Sequence, residues 1–123
     1  MDTNELTEKI IGAAIEVHKH LGPGLLESAY EECFCYELTL RGINYERQKP
    51  MPIEFKEKVL ECGYRIDVLV EDLVVVEIKS VQEIIPKFHA QVLTQLKFSK
   101  KRVGLLINFN EVKLTDGLKR FVR

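Results

Sequence analysis

The sequence predicts an α/β sandwich, a mixed sheet with helices on its faces, and three observations carry that prediction. Hydrophobic residues recur at helical spacing up to Gly42 and in strand-like runs afterwards. Between Leu73 and Phe109, a strand-like run, a helix opened by a proline and a second strand-like run follow one another, as in a right-handed parallel crossover. The second of those runs, "RVGLLINF" (Arg102–Phe109), is apolar without alternation, as expected of a strand buried on both faces.

The elements follow in order. A first helix is expected from about Asn4 to His20, with Leu6, Ile10, Ala13, Ala14, Val17 and Leu21 at helical spacing. Asp2, with Glu5 three residues on, has the form of a capping box, and "GPG" (Gly22–Gly24) stops the helix sharply. A second helix is expected from about Leu26 to Leu40, with Gly42 as its C-cap glycine. Three strands in a meander are then expected near Tyr45–Phe55, Val59–Val70 and Leu73–Ser80, the first weakened by Pro50 and Pro52. Pro86 suits the first turn of a third helix reaching about Ser99, and the Arg102–Phe109 strand and a short tail complete the order ααβββαβ.

With 123 residues, 46% hydrophobic and 30% charged, the chain has the size and balance of one globular domain, residues 1–123, able to bury a core without disulfides. No apolar run is long enough to span a bilayer, and the acidic N-terminus is unlike a secretory signal. Cys33, Cys35 and Cys62 are odd in number and lack a zinc-site spacing, so free, mostly buried thiols in a reducing cytoplasm are expected. The net charge of −1 conceals an asymmetry: residues 1–78 carry 8 Lys/Arg against 16 Asp/Glu, and residues 79–123 carry 10 against 3. Either the two segments attract each other on folding, or the basic one faces a polyanion.

The stretch "YRIDVLVEDLVVVEIKS" sets Asp67, Glu77 and Lys79 into two runs that otherwise read as core. Ionisable groups on a buried strand are paired, bound to a metal, or used chemically. Two carboxylates converging at a strand end can hold a hard divalent cation, and a lysine two residues after one of them shares its face. A metal, a lysine and an activated water are the equipment of phosphodiester hydrolysis. Register decides whether the carboxylates converge. A two-residue loop at Glu71-Asp72 would place Asp67 and Glu77 on opposite faces, so a shared metal requires an odd-length connection or a bulge. The structural alternative is an ion pair between Lys79 and Glu77 at a strand edge.

"D-x9-ExK" at Asp67, Glu77 and Lys79 resembles the PD-(D/E)xK nuclease core, with Ile66 where that name has proline. "GPGLLESAY" contains Gly24, Glu27 and Tyr30 as G-x-x-E-x-x-Y. With "EVHKHLGPGLLE", "QVLTQLKFSKKRVGLLINF" and "GLKRFV", nearly the whole chain resembles the GxxExxY family of the PD-(D/E)xK nuclease-like superfamily. The resemblance implies a restriction-endonuclease-like sandwich and a Mg2+- or Mn2+-dependent nuclease acting on DNA or RNA. It implies Asp67, Glu77 and the backbone carbonyl of Ile78 as metal ligands, Lys79 as the residue positioning the attacking water, and Glu27 as an outer or second-metal ligand. Gln91 matches the glutamine of a Q-x-x-x-Y pattern in a large branch of these nucleases, whereas Gln95 stands at the tyrosine position.

Each further candidate has a plainer reading beside it. Glu27 is also an ordinary first-turn carboxylate favoured by the helix dipole, and Gln91 and Gln95 also suit a solvated helix face. His18 and His20 read as structural, with His18 expected to fix the "GPG" turn. His89 could approach phosphate, and Arg65 shares the face of Asp67 as a phosphate or carboxylate partner. Lys97, Lys100, Lys101 and Arg102 are either solvated surface or a patch contacting a nucleic-acid backbone. Two functions follow: a small nuclease, expected to work as a homodimer, or a non-catalytic module of the same fold that binds nucleic acid or a protein partner.

Overall fold

The computed structural model describes residues 2–123. Helix α1 (Thr3–Leu21) begins where the sequence places a cap: the Asp2 carboxylate accepts the Glu5 N–H at 2.8 Å. Its stripe of Leu6, Ile10, Ala13, Ala14 and Val17 is buried. Gly22, at φ 66°, ends it, with its N–H on the His18 carbonyl. Helix α2 (Glu27–Leu40) packs beside α1, burying Tyr30, Phe34, Cys35 and Leu38. Past Leu40, Gly42 takes φ 71° and the Ile43 N–H closes on the Leu38 carbonyl at 2.9 Å.

The main sheet has five strands in the order β1 (Tyr45–Pro50), β4 (Arg65–Val70), β5 (Val74–Lys79), β6 (Val103–Asn108), β7 (Leu118–Val122). Only β5 and β6 run parallel, joined by helix α3 (Pro86–Ser99) in the expected crossover. β2 (Ile53–Phe55) and β3 (Lys58–Leu60) form a separate hairpin. On one face Val68, Val70, Val76, Ile78, Leu105 and Ile107 pack with α1 and α2. On the other, Leu69, Val75 and Leu106 meet Val92 and Leu96 of α3. Gly104 permits that close approach, since a Cβ there would lie 2.9 Å from Val92 Cγ1. The sandwich is therefore two helices, mixed sheet, one helix. Among the described residues no helix is long and apolar enough to cross a membrane.

Three expectations need correction. The two long strands expected over Tyr45–Phe55 and Val59–Val70 are each broken in two. Pro50 and Pro52 lack N–H donors, and the Met51 N–H between them bonds the Tyr64 carbonyl, so the ladder closes and β2–β3 projects as its own hairpin. The expected tail holds a 3-10 turn (Leu114–Gly117) and strand β7, antiparallel to β6. β7 is an edge strand with exposed Lys119 and Arg120, so it lacks the apolar run that announces a central strand. Of the three free thiols, Cys35 is buried, Cys33 half-buried and Cys62 exposed. Burial pushes the Cys35 thiol up to about 12, which leaves it protonated and inert.

The "GPG" turn is fastened from α2 and β6. Tyr30 stacks on Phe109 with ring centroids 4.7 Å apart, and its hydroxyl donates to the Gly22 carbonyl while accepting the Leu25 N–H. The Gly24 N–H, at a residue with φ 105°, donates to Asn110 Oδ1. His18 is structural as expected, but its Nε2 lies 2.7 Å from the Glu111 carbonyl rather than at the turn.

Candidate functional site

The β4–β5 connection has three residues, Glu71, Asp72 and Leu73, not two. Val70 pairs with Val74, Leu69 with Val75 and Val68 with Val76; one residue beyond that pairing, the Asp67 and Glu77 side chains come within hydrogen-bonding reach of each other. The odd loop is made possible by Glu71 and Asp72, both in the left-handed region at φ 51° and 56°. The backbone ladder stops at Val68, and the Asp67 carboxylate takes over. Its Oδ2 accepts the Ile78 N–H at 2.9 Å. Ile66 and Leu69 pack on the α3 side of the sheet while Val68 and Val70 pack on the other, so β4 loses its alternation at Asp67.

Glu77 is 7% exposed. Burial pushes its carboxyl up to about 8, reinforced by a hydrogen bond and charge repulsion from Asp67 and opposed by Lys79 and Gln95. Glu77 is therefore held toward its protonated form near neutral pH. The approach of Lys79 Nζ to Glu77 Oε2, 3.7 Å, is then a charge–dipole contact that becomes an ion pair as the proton leaves. Lys79 Nζ also lies 4.5 Å from the centre of the Phe88 ring. Lys79 is thus held on two sides at the end of β5.

Glu77 and Lys79 open into a cleft of about 360 Å³ between the sheet and α3. Arg65 and Tyr64 line it from the start of β4, and Lys87, Gln91 and Gln95 from α3. Gln95 is 7% exposed, so the solvated-face reading fails for it; its Nε2 donates to Glu77 Oε2 at 3.3 Å. The side-chain oxygens of Gln91 and Gln95 are buried without a hydrogen-bond partner, and in a cleft such atoms await a donor.

The other candidates are placed elsewhere. Glu27 is exposed at the start of α2 and is not part of the cleft lining. Ile78 meets Asp67 through its N–H. His89 packs edge-on against Phe121 of β7, a structural contact outside the cleft lining. Lys97, Lys100, Lys101 and Arg102 sit where α3 leads into β6, beside the Val74 end of β5, roughly 17 Å along the strand from Lys79. Helix α3 runs antiparallel to β5 and so carries its C-terminal lysines away from Lys79. Lys101 is already engaged with Asp72 at 3.1 Å.

Sequence reading missed Glu31, Gln48 and Lys87. Glu31, one turn beyond Glu27, is the α2 carboxylate that connects to Asp67. It is 7% exposed and accepts from Arg47, and Gln48 donates to both Glu31 and Asp67. A signal for Glu31 existed, since it shares the apolar face of α2 with Phe34 and Leu38 at i+3 and i+7. Nothing in "ERQKP" marks Gln48.

Among the described residues no three His, Cys, Asp or Glu side chains gather as a metal-holding group. The donor set nevertheless fits Mg2+ or Mn2+. Such a cation binds through one or two carboxylates and retains waters, and here the Asp67 and Glu77 carboxyls lie beside the unpartnered amide oxygens of Gln91 and Gln95.

A family model of the PD-(D/E)XK nuclease superfamily matches residues 4–121. No curated protein and no solved structure matches the chain.

Proposed function

The chain belongs to the PD-(D/E)XK nuclease superfamily, and from that premise we propose that it is a metal-dependent nuclease hydrolysing phosphodiester bonds of DNA or RNA. The observation that carries the reading is the three-residue turn and the Ile78 N–H that hold the Asp67 carboxylate beside Glu77, with Glu77 and Lys79 in a cleft also lined by Arg65 and Lys87. Asp67, Glu77 and the Ile78 carbonyl would hold Mg2+ or Mn2+, which when bound supplies charge neutralisation at the scissile phosphate and acidifies a coordinated water.

The chain's own residues account for the rest. Lys79, steadied by Phe88 and Glu77, aligns the attacking water and offsets charge on a phosphoryl oxygen. Gln91 and Gln95 accept hydrogen bonds from substrate or from that water, which satisfies their orphaned oxygens. Arg65 and Lys87 receive neighbouring phosphates. A single cleft of this size grips few nucleotides, and the proposal extends to a homodimer, which light scattering would read.

The test is cleavage of labelled single-stranded and duplex DNA and RNA in Mg2+ and Mn2+. Wild type should cut at least one, and Asp67→Asn and Lys79→Ala should not, with Lys79→Ala still binding. Absence of cleavage of all of them by folded wild type, with binding retained, would establish the non-catalytic module instead.

A further inference from the structure

β1 departs from its ladder at a single residue. Arg47 pairs with Val68 and Lys49 with Ile66, but Gln48 and Asp67 between them are unpaired. Gln48 has φ 50°, a left-handed conformation that only glycine adopts freely. Its carbonyl is caught by Arg65 Nη1 at 3.2 Å. Its side-chain amide reaches two carboxylates: Nε2 is 2.8 Å from Glu31 Oε1 and 3.4 Å from Asp67 Oδ1. The orientation of this amide follows from chemistry, because the reverse would set a carbonyl oxygen against two carboxylates. Glu31 cannot itself turn to a ligand, since Arg47 Nε and Nη2 hold its other oxygen at 3.2 and 2.8 Å.

A strained non-glycine residue persists only where its surroundings impose it, and such strain gathers at functional sites. Here the strain has a visible product: the NH2 group of Gln48 delivered between a buried, anchored carboxylate and Asp67. We propose that Gln48 is a positioning residue for Asp67, anchored by the Glu31–Arg47 pair, and that it fixes the Asp67 carboxylate in the orientation in which Oδ2 receives the Ile78 N–H and the site is ready for a divalent cation. The last clause rests on the nuclease reading above; the positioning of Asp67 does not. Residues that orient a metal ligand from behind commonly change affinity or activity by about 10- to 100-fold when removed.

Gln48 is exposed, so its replacement removes little packing. Gln48→Gly is the decisive variant because it relieves the left-handed backbone and deletes the amide at once. A purely structural role predicts a less stable protein with an unchanged site. Positioning predicts the opposite: a melting temperature no lower than wild type, a shifted and less protected Ile78 amide in the metal-free protein, and an Mn2+ dissociation constant raised about 10-fold or more. Gln48→Glu, which keeps the shape but faces two carboxylates with a third, should move the Ile78 amide in the same way and serves if the glycine variant does not fold. An Ile78 amide and an Mn2+ affinity both unchanged in a folded variant would overturn the proposal. If wild type binds no Mn2+, or binds it equally with Asp67→Asn, the metal reading fails, and the Ile78 amide still decides whether Gln48 positions Asp67.

Discussion

Glu77 should make the metal-free protein lose stability as pH rises, and the effect is large enough to measure. Its folded carboxyl lies at about 8, above the ordinary 4.5 of an unfolded glutamate. Between those values the folded chain binds the extra proton, so Glu77's contribution to stability is full below pH 4.5 and is lost as pH climbs through about 8. At ~1.4 kcal/mol per tenfold difference in proton affinity, the full loss is at most about 5 kcal/mol. Glu77→Gln keeps the shape and an acceptor but never ionises, so its stability should be flat across this window. The two proteins should be comparable at pH 5, with the variant ahead at pH 9. Urea midpoints at pH 5 to 9 in EDTA provide the assay, and even a third of the difference moves a midpoint by about 0.5 M or more. Mg2+ or Mn2+ at pH 8 to 9 should restore wild type and leave the variant unmoved. Profiles for wild type and Glu77→Gln that run parallel from pH 5 to 9 would refute the reasoning, because Glu77 would then titrate like an exposed carboxyl.

The remaining predictions test other links. Asp67→Asn removes the charge that opposes ionisation of Glu77 but weakens the hydrogen bond from Ile78, so urea denaturation of the metal-free variant should give a stability within about 1 kcal/mol of wild type. The same variant should lose the Mn2+ stabilisation that reaches about 2.7 kcal/mol in wild type at a hundredfold excess over Kd; equal melting shifts in both proteins would exclude Asp67 as a ligand. Tyr30→Phe keeps the Phe109 stack but strands the Gly22 carbonyl and Leu25 N–H, which should cost about 1–3 kcal/mol by urea denaturation. Lys87→Gln should lower the log–log salt slope of duplex binding by about one unit, read by fluorescence anisotropy in Ca2+. Lys97→Gln with Lys100→Gln, at the far end of α3, should change it less. Gly117→Ala should be destabilising in thermal melts, since its Cβ would lie 2.6 Å from the Asn108 carbonyl oxygen.

The sequence by itself determined the parts of this protein whose physics is local. Asp2, Gly22, Gly42 and Pro86 set helix ends because capping and backbone conformation act within a turn. Asp67, Glu77 and Lys79 were conspicuous because charge inside an apolar run demands a reason, and side-chain alternation turned that into a definite requirement on the β4–β5 loop, which the three-residue turn meets. Only the tertiary structure decided what depends on distant segments meeting. Helical spacing leaves Gln95 equally suited to a solvated face or to the site, and only the laying of α3 over β5 buries it against Glu77. Glu31 and Gln48 are joined to Asp67 across 36 residues of chain that no spacing rule spans. The C-terminal lysines of α3 lie near Glu77 in the list of charges but at the opposite end of β5 in space, because a crossover helix must run back along the strands it connects. β7 was hidden for a related reason: an edge strand shares only one ladder and one covered face, so its residues obey solvent as much as the core.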